Sequence, residues 1–297
     1  ERRNKLLLFL IGIEGAFTVK RIEEKEMISK IALVACSNPL SEKKQRELEQ
    51  LIWILEKQGI IVEKRHLITG SSRPEERGEA LMECYMDRQV QMIFDISGGD
   101  LCNGVLPYLD YDKIRKNPKP LAGYSDLTAL INGIYAKTGN QGMLYQILNV
   151  AGSDRERQSQ AFIDYLKEKN KSLCQPEVTM LKGDFPRGEK VLGGNIRCLL
   201  KLAGTPFWPD FTQKVLLLES QSGGRERIQA FLDQMEQMGI FDEISGMILG
   251  TFSQLDREEG PNAIEQMVWK VLEHREIPIG RTMEIGHGQD SKGMILG

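Results

Sequence analysis

Two short, nearly uninterrupted apolar runs constrain the fold of this chain most strongly. Residues 31–36 and 92–96 are almost wholly apolar, and each run ends at a turn rich in Ser, Asn, Pro or Gly. Strands of a parallel sheet have this composition because helices cover both faces of the sheet. Residues 40–58 carry apolar side chains at helical spacing and stop at Gly59, and 60–62 form another apolar strand. The strand-helix-strand order predicts a βαβ unit and an α/β fold.

The length of 297 residues and the 41% hydrophobic content predict two domains with sizeable cores. We assign residues 27–150 to an N-terminal parallel-sheet domain of the flavodoxin-like or Rossmann-like type. Residues 151–176 have mixed charge and are interpreted as a linker. Short β-like runs with Gly and Pro turns follow, so residues 177–297 are predicted to form a smaller C-terminal α/β domain.

Charge and composition argue against several classes of function. The net charge of −3 gives no basic excess for nucleic acid or for an anionic membrane surface. No zinc-like Cys/His cluster and no glycine fingerprint for phosphate occurs, so neither a metal nor a cofactor is expected. The five cysteines are scattered and odd in number, which is typical of free thiols in a reducing compartment and favours the cytoplasm.

The first 26 residues allow two interpretations. Basic residues 2–5 followed by an apolar run at 6–13 resemble a secretory signal, but the run is too short to span a membrane and is interrupted by Glu14. Translation that starts at Met27 would instead make residues 1–26 an extension outside the fold. We expect the second arrangement.

Residues 118–131 contain the candidate nucleophile. A short apolar approach reaches Gly123 and then Ser125, which opens a helix. A strand that turns sharply into a helix exposes the side chain at the turn and directs free N–H groups of the helix toward it. This geometry suits a nucleophilic serine, although Ser125 or Asp126 could equally be a helix cap.

The glycine pair Gly98 and Gly99 follows the apolar run at 92–96. Ligands of open parallel sheets bind at the carboxyl ends of strands, and glycine lets backbone N–H groups approach an oxyanion. A simple turn that needs a positive φ would explain the same two residues.

Candidates for a base and a supporting carboxylate come from the second half of the chain. His287 lies between two glycines, whereas His66 and His274 lie among charged residues and are predicted to be on the surface. Glu219 ends a four-residue apolar run. It could be a catalytic carboxylate or an ordinary glutamate at the end of a strand. A serine, a histidine and a carboxylate are the three groups that nucleophilic hydrolysis requires.

Several motifs occur in one order and together resemble the LD-carboxypeptidase family of serine peptidases. They are Gly-Tyr-Ser-Asp-Leu-Thr-Ala-Leu at 123–130, Gly-Gly-Asn at 193–195, Gly-Thr-Pro at 204–206, Val-Leu-Leu-Leu-Glu at 215–219 and Ile-Gly-His-Gly at 285–288. The resemblance covers residues 31–297. It implies a catalytic triad of Ser125, His287 and Glu219.

The same resemblance implies roles for other residues. The amides of Gly99 and Asp126 would form the oxyanion hole, and Gly98, Asp100 and Asn195 would contact the substrate. Ser97 and Asp100 stand where many members of the family have arginine and tyrosine. These two differences concern the part of the site that would contact the substrate and leave the residues of the implied triad unchanged.

The function implied by the resemblance is hydrolysis of an L,D-peptide bond, as in the release of D-alanine from a muropeptide tetrapeptide during peptidoglycan recycling. One alternative is an immunity-type peptidase that cleaves peptidyl or aminoacyl nucleotides, because the run Leu-Pro-Tyr-Leu-Asp-Tyr-Asp at 106–112 resembles that branch. Another is a peptide-binding protein without catalytic activity on the same fold. The partner is a small peptide in the first case, and the sequence leaves open whether the chain forms a homodimer.

Overall fold

The computed structural model describes residues 27–65 and 73–297. The predicted extension at 1–26 and the histidine at position 66 lie outside the described residues.

Eleven strands in the described residues form two sheets. They are β1 (Lys30–Val34), β2 (Ile61–Lys64), β3 (Met92–Asp95), β4 (Leu121–Gly123), β5 (Gly142–Leu144), β6 (Thr179–Lys182), β7 (Val191–Asn195), β8 (Val215–Ser220), β9 (Gly246–Phe252), β10 (Ile279–Arg281) and β11 (Met294–Leu296).

The helices lie between the strands. They are α1 (Glu42–Lys57), α2 (Pro74–Met86), α3 (Tyr111–Lys116), α4 (Leu127–Thr138), α5 (Arg155–Leu166), α6 (Ile196–Leu200), α7 (Arg225–Gln237), α8 (Ile240–Glu243), α9 (Ser253–Glu259) and α10 (Ala263–Val271). Three short 3-10 helices occur at Cys102–Tyr108, Ile147–Ala151 and Ser172–Cys174.

The first sheet has the strand order β11-β5-β4-β3-β1-β2, and its strands are parallel except for β11. The α/β prediction is thus confirmed, and strands β2-β1-β3-β4-β5 follow the flavodoxin-like order. The chain leaves β1 for β2 and then crosses back to β3, so the strand order reverses between β1 and β3. In such sheets the crevice outside the carboxyl ends at this switch point is where ligands bind.

The second sheet has the order β6-β10-β9-β8-β7, with β6 antiparallel and the other strands parallel. Strand β8 lies between β9 and β7 and is buried at every position. Its last residues therefore lie at the carboxyl edge of the sheet, beside the end of β7, where Asn195 pairs with Glu219 in register.

The two sheets are joined by a common apolar cluster and by a strand that crosses from one sheet to the other. One apolar cluster joins Leu130 of α4 and Leu144 of β5 to Leu217 of β8 and Ile285 beyond β10. The last strand, β11, leaves the C-terminal region and pairs with β5 of the first sheet. The hydrophobic effect favours this arrangement because each sheet removes apolar surface of the other from water.

The segment interpreted as a linker contains helix α5. Phe162 of this helix is fully buried, and its ring centroid lies 5.3 Å from that of Phe94 in β3. The helix therefore covers one face of the first sheet.

The structure also shows the state of the cysteines and the lengths of the helices. All five cysteines are free, and all but the partly exposed Cys174 are buried. Within the described ranges, no helix is both long enough and apolar enough to cross a membrane.

Candidate active site

Ser125 lies on a strained turn between β4 and α4. Its φ is +57°, a left-handed conformation that is uncommon for a residue with a side chain. A Cβ on Gly123 would stand 2.7 Å from Cγ of Leu127, so the turn closes only with glycine at that position. Strain held by the surrounding structure is typical of functional sites, and a serine on a strand-to-helix elbow is exposed to substrate.

Glu219 and His287 form a hydrogen-bonded pair at the carboxyl edge of the second sheet. Nδ1 of His287 lies 2.9 Å from Oε2 of Glu219, and the glutamate side chain is 1% exposed. Nε2 of His287 is buried and has no hydrogen-bond partner among the described residues. A carboxylate that holds Nδ1–H leaves Nε2 free to accept a proton, which is the arrangement a general base needs.

Tyr124, the residue before Ser125, connects the serine turn to this pair. Its ring meets the imidazole of His287 edge to face, with centroids 4.8 Å apart. Burial raises the pKa of Tyr124 well above its ordinary value, and the nearby charge of Glu219 raises it further. The structure therefore brings the serine turn, the histidine and the glutamate of the predicted triad into one region.

Two contacts fix helix α4 against strand β7, and so set the serine turn relative to Glu219. Asn132 is fully buried; its Nδ2 donates to the Gly193 carbonyl and its Oδ1 accepts from the Gly193 N–H, both at 2.9 Å. Oγ1 of Thr128 accepts the N–H of Asn195 at 3.0 Å. A Cβ on Gly194 would stand 2.7 Å from that hydroxyl, so this close approach requires glycine.

The loop that carries His287 is fastened to the first domain. Asn149 donates to the Gly288 carbonyl at 3.2 Å, and Gln158 of α5 donates to the Ser291 carbonyl at 3.0 Å. The Ser291 hydroxyl closes the loop by donating to the Gly286 carbonyl at 2.6 Å. The imidazole is thus positioned by both halves of the chain.

The predicted oxyanion hole would consist of two backbone N–H groups, one in the serine turn and one in the glycine turn after β3. The N–H groups of Gly99 and Asp126 donate no hydrogen bond to any described residue. Gly99 has a φ of +127°, and a Cβ there would stand 2.2 Å from Cγ of Asn38. Free backbone N–H donors are the groups that stabilise a tetrahedral oxyanion, and this role of Gly99 and Asp126 stays a prediction.

We expect Gly99→Ala to lower kcat by on the order of 100- to 1,000-fold, because the added Cβ displaces one of these donors. Steady-state hydrolysis measures the effect. Gly59→Ala is the matched control, since Gly59 has a φ of +78° and nothing within 4 Å of an added Cβ. It should lower the melting temperature and leave kcat unchanged; an equal loss of kcat in both variants would contradict the assignment.

The side chain of Asp126 has a structural task. The carboxylate is fully buried, accepts hydrogen bonds from Ser37 Oγ (2.6 Å) and the Cys102 N–H (2.9 Å), and forms an ion pair with Lys201 at the end of α6. Burial alone would raise the pKa of Asp126, but the bonds from Lys201, Ser37 and Cys102 outweigh it and lower the pKa. This pair connects the serine turn to the second domain.

Lys201→Met should lower the free energy of unfolding by about 3 kcal/mol, because it leaves a buried carboxylate without its counter-charge. The lowered pKa of Asp126 stabilises the fold above the unfolded value of 3.8 and loses that effect as the pH falls through the folded value. The deficit of the variant should therefore shrink below about pH 4.

Lys214→Met is the control for this prediction. Lys214 is 17% exposed, as is Lys201, but its partner Asp210 is 75% exposed. Denaturant unfolding should give a loss below about 1 kcal/mol for this exposed pair. Equal losses in the two variants would show that the buried pair has no special role.

The residues predicted to contact substrate are partly engaged elsewhere. Asp100 pairs with Arg197 of α6, and the side chain of Asn195 caps the same helix by accepting the Cys198 N–H at 3.3 Å. Gly98 is partly exposed at the switch point. Their role in substrate binding stays a prediction. His274 is exposed, as expected of a surface residue.

No group of three or more His, Cys, Asp or Glu within residues 27–65 and 73–297 is arranged to hold a metal ion. Sequence reasoning missed Lys201 and Asn132 as contacts that join the two domains. The nearest available signal was Asn132 among the mostly apolar residues of α4, since a polar side chain that is buried there needs a partner.

The fold and the site define a two-domain α/β protein in which the residue next to a serine on a strand-to-helix turn contacts a histidine-glutamate pair, and nucleophilic hydrolases use these three residue types. Residues 31–146 match the LD-carboxypeptidase N-terminal domain, and residues 188–297 match the LD-carboxypeptidase C-terminal domain. The chain therefore belongs to the LD-carboxypeptidase family, as the sequence motifs predicted, and a peptidase is the class of activity that this membership supports.

Two relatives and one solved structure illustrate the similarity. The chain is 26% identical to the microcin C7 self-immunity protein MccF of Escherichia coli over 253 residues, which are 75% of this chain and 74% of that protein. It is 24% identical to a probable murein peptide carboxypeptidase of Bacillus subtilis (strain 168), over 96% of this chain and 92% of that protein. An inactive mutant of MccF in the apo state superposes with a TM-score of 0.77 at 22% identity, covering 92% of each chain.

Proposed function

We propose that this protein is a serine carboxypeptidase that hydrolyses an L,D-peptide bond near the carboxyl end of a small peptide. A muropeptide tetrapeptide that loses its terminal D-alanine is the substrate we favour, as in peptidoglycan recycling. The observation that carries the proposal is the 2.9 Å pair of His287 and Glu219 against the turn that presents Ser125. Family membership and a relative named as a probable murein peptide carboxypeptidase support the choice of substrate.

The proposed reaction begins when Oγ of Ser125 attacks the carbonyl carbon of the scissile bond and its proton passes to Nε2 of His287. Glu219 keeps the imidazole oriented and balances its positive charge. The N–H groups of Gly99 and Asp126 stabilise the negative oxygen of the tetrahedral intermediate.

Collapse of this intermediate breaks the C–N bond, and the proton on Nε2 goes to the departing amine of the D-amino acid. Water then attacks the acyl-serine ester and gives its proton to Nε2. The ester bond breaks, the shortened peptide leaves with a new carboxylate, and Ser125 regains its proton. The step needs no group beyond the chain, the peptide and water.

The second candidate is an immunity-type peptidase that cleaves the amide bond of a peptidyl or aminoacyl nucleotide. The 26% identity to MccF and the run at residues 106–112 favour it. The same three side chains would perform the chemistry, and only the groups around the scissile bond would differ.

Mass spectrometry of reaction products tests the choice. The panel contains a muropeptide tetrapeptide with a terminal D-alanine, its all-L analogue and an aminoacyl sulfamoyl adenosine. Loss of one alanine from the first compound alone is the expected result. Cleavage of the nucleotide compound with an intact tetrapeptide would replace the proposal with the immunity-type activity.

We also propose a cytoplasmic location. The free thiols support it, since four of the five are buried and none is paired.

A further inference from the structure

Lys44 lies at the switch point of the first sheet. It belongs to the first turn of α1, the helix that follows β1, and its side chain crosses toward the turn that follows β3. Its Nζ lies 3.5 Å from the point where a Cβ on Gly98 would stand. The ammonium group therefore covers the residue next to Gly99, whose N–H is one of the two oxyanion donors.

The charge of Lys44 is not used by the described part of the chain. Its side chain is partly buried, yet it makes no ion pair and no hydrogen bond with any residue of 27–65 or 73–297. Burial lowers the pKa of Lys44, and the charges of Asp95 and Glu47 oppose that shift in part. Asp95 is near Lys44, but no hydrogen bond or ion pair joins the two side chains, and the oxygens of Asp95 accept bonds from Cys36 and Ser97.

Two other cations reach the same turn, and both are engaged. Arg197 pairs with Asp100 and donates to the Gly99 carbonyl at 3.0 Å. Lys201 pairs with Asp126 and donates to the Asp100 carbonyl at 2.9 Å. Of these three side chains, Lys44 is the one left to bind an anion from outside the chain.

A cation that binds the terminal carboxylate of a carboxypeptidase substrate must lie close to the oxyanion hole. The terminal carboxylate belongs to the residue directly after the scissile bond, and consecutive residues are about 3.8 Å apart. A charge over Gly98, one residue from the donor at Gly99, meets this requirement. A partly desolvated cation with no competing partner also binds a carboxylate more strongly than a solvated one.

We propose that Nζ of Lys44 binds the free terminal carboxylate of the peptide and makes the enzyme specific for a free carboxyl end. This inference rests on the proposed function and adds the residue that recognises the leaving amino acid.

The test compares a D-alanine-terminated muropeptide tetrapeptide with its carboxyl-terminal amide. The wild-type protein should cleave the free acid with a kcat/KM more than about tenfold higher, the effect of one charge-assisted bond. Lys44→Gln should lose at least tenfold on the free acid and keep its rate on the amide. Lys43→Gln is the matched control, since Lys43 is the preceding residue and 77% exposed, and it should leave both rates unchanged.

Three outcomes would overturn the proposal. Equal losses of kcat/KM on the free acid and the amide would show that Lys44 has a structural role. A lower melting temperature of Lys44→Gln than of Lys43→Gln would then attribute the loss to reduced stability. No loss on either peptide would show that another group binds the carboxylate. A wild-type protein that cleaves neither peptide but cleaves an aminoacyl sulfamoyl adenosine would remove the proposed function itself, and this failure appears before any variant is measured.

Discussion

Replacing Ser125 by alanine is expected to lower kcat by on the order of a million-fold, since removal of a triad nucleophile leaves only the contribution of binding and the oxyanion hole. The fold should persist, because Ser125 is partly exposed and its hydroxyl makes no hydrogen bond with the described residues. Alanine also removes one heavy atom without changing the strained backbone at φ +57°. Release of D-alanine and the melting temperature together measure the effect.

Ser159→Ala is the control for the nucleophile. The hydroxyl of Ser159 bonds only within α5, to the Glu156 carbonyl at 3.3 Å. Its loss should leave kcat within about twofold, as expected of surface substitutions away from a site. Activity of the Ser125 variant above about a tenth of the wild-type rate would show that another group attacks the carbonyl.

Replacing Glu219 by glutamine is expected to lower kcat by about 10⁴-fold, the effect of presenting an amide to the base in place of a carboxylate. The buried Oε2 accepts the Nδ1–H of His287 at 2.9 Å in the wild-type protein. A glutamine that turns its NH₂ group toward Nδ1 selects the other tautomer, so Nε2 carries a proton and cannot act as a base. The neutral amide also cannot balance the imidazolium that forms.

Glu259→Gln is the control for the charge change. Glu259 pairs with Arg225 at the surface and is 31% exposed, so its loss should leave kcat unchanged. Circular dichroism should show the same fold for both variants. A decrease of less than tenfold in the Glu219 variant would assign this residue a structural task alone.

The positions of the chemical groups could be predicted where local sequence determines them. Gly123 and Ser125 stand in a strand-to-helix turn that few residues can form, and Gly99 occupies a conformation that disfavours side chains. Glu219 lies near the end of β8 and His287 lies in the loop after β10, and the carboxyl ends of parallel strands lie at one edge of a sheet. Local sequence alone also allowed a helix cap, a simple turn and an ordinary strand-end glutamate at these positions, and the resemblance to the family decided between the interpretations.

Contacts between distant parts of the chain could not be predicted in the same way. Lys201 reaches Asp126 across 75 positions, and Asn132 binds Gly193 across 61. Such pairs form only when the two domains pack together. A single lysine or asparagine on a helix produces no sequence pattern that identifies its partner in the other domain. The return of β11 to the first sheet is hidden for the same reason, because a three-residue apolar strand fits either sheet.

Lys44 places an unpaired charge at the glycine turn, where the sequence alone indicated no cation. The sequence indicated that Ser97 and Asp100 replace an arginine and a tyrosine at the glycine turn. The structure then places Ser97 in a buried bond to Asp95, so its hydroxyl is not available to a substrate. A cation from a different element, at the same turn, provides the charge that the proposed substrate requires.

Covalent labelling of the nucleophile tests the central claim most directly. The oxygen of an activated serine attacks the phosphorus of a fluorophosphonate and displaces fluoride, which leaves a phosphonyl group on the serine. Mass spectrometry of the digested protein locates this group. We expect one phosphonyl group per chain, on Ser125, with hydrolysis of the tetrapeptide lost in proportion to labelling and with no labelling of the Ser125→Ala variant. Full hydrolysis by completely labelled protein, or inactivation through another residue, would contradict the claim.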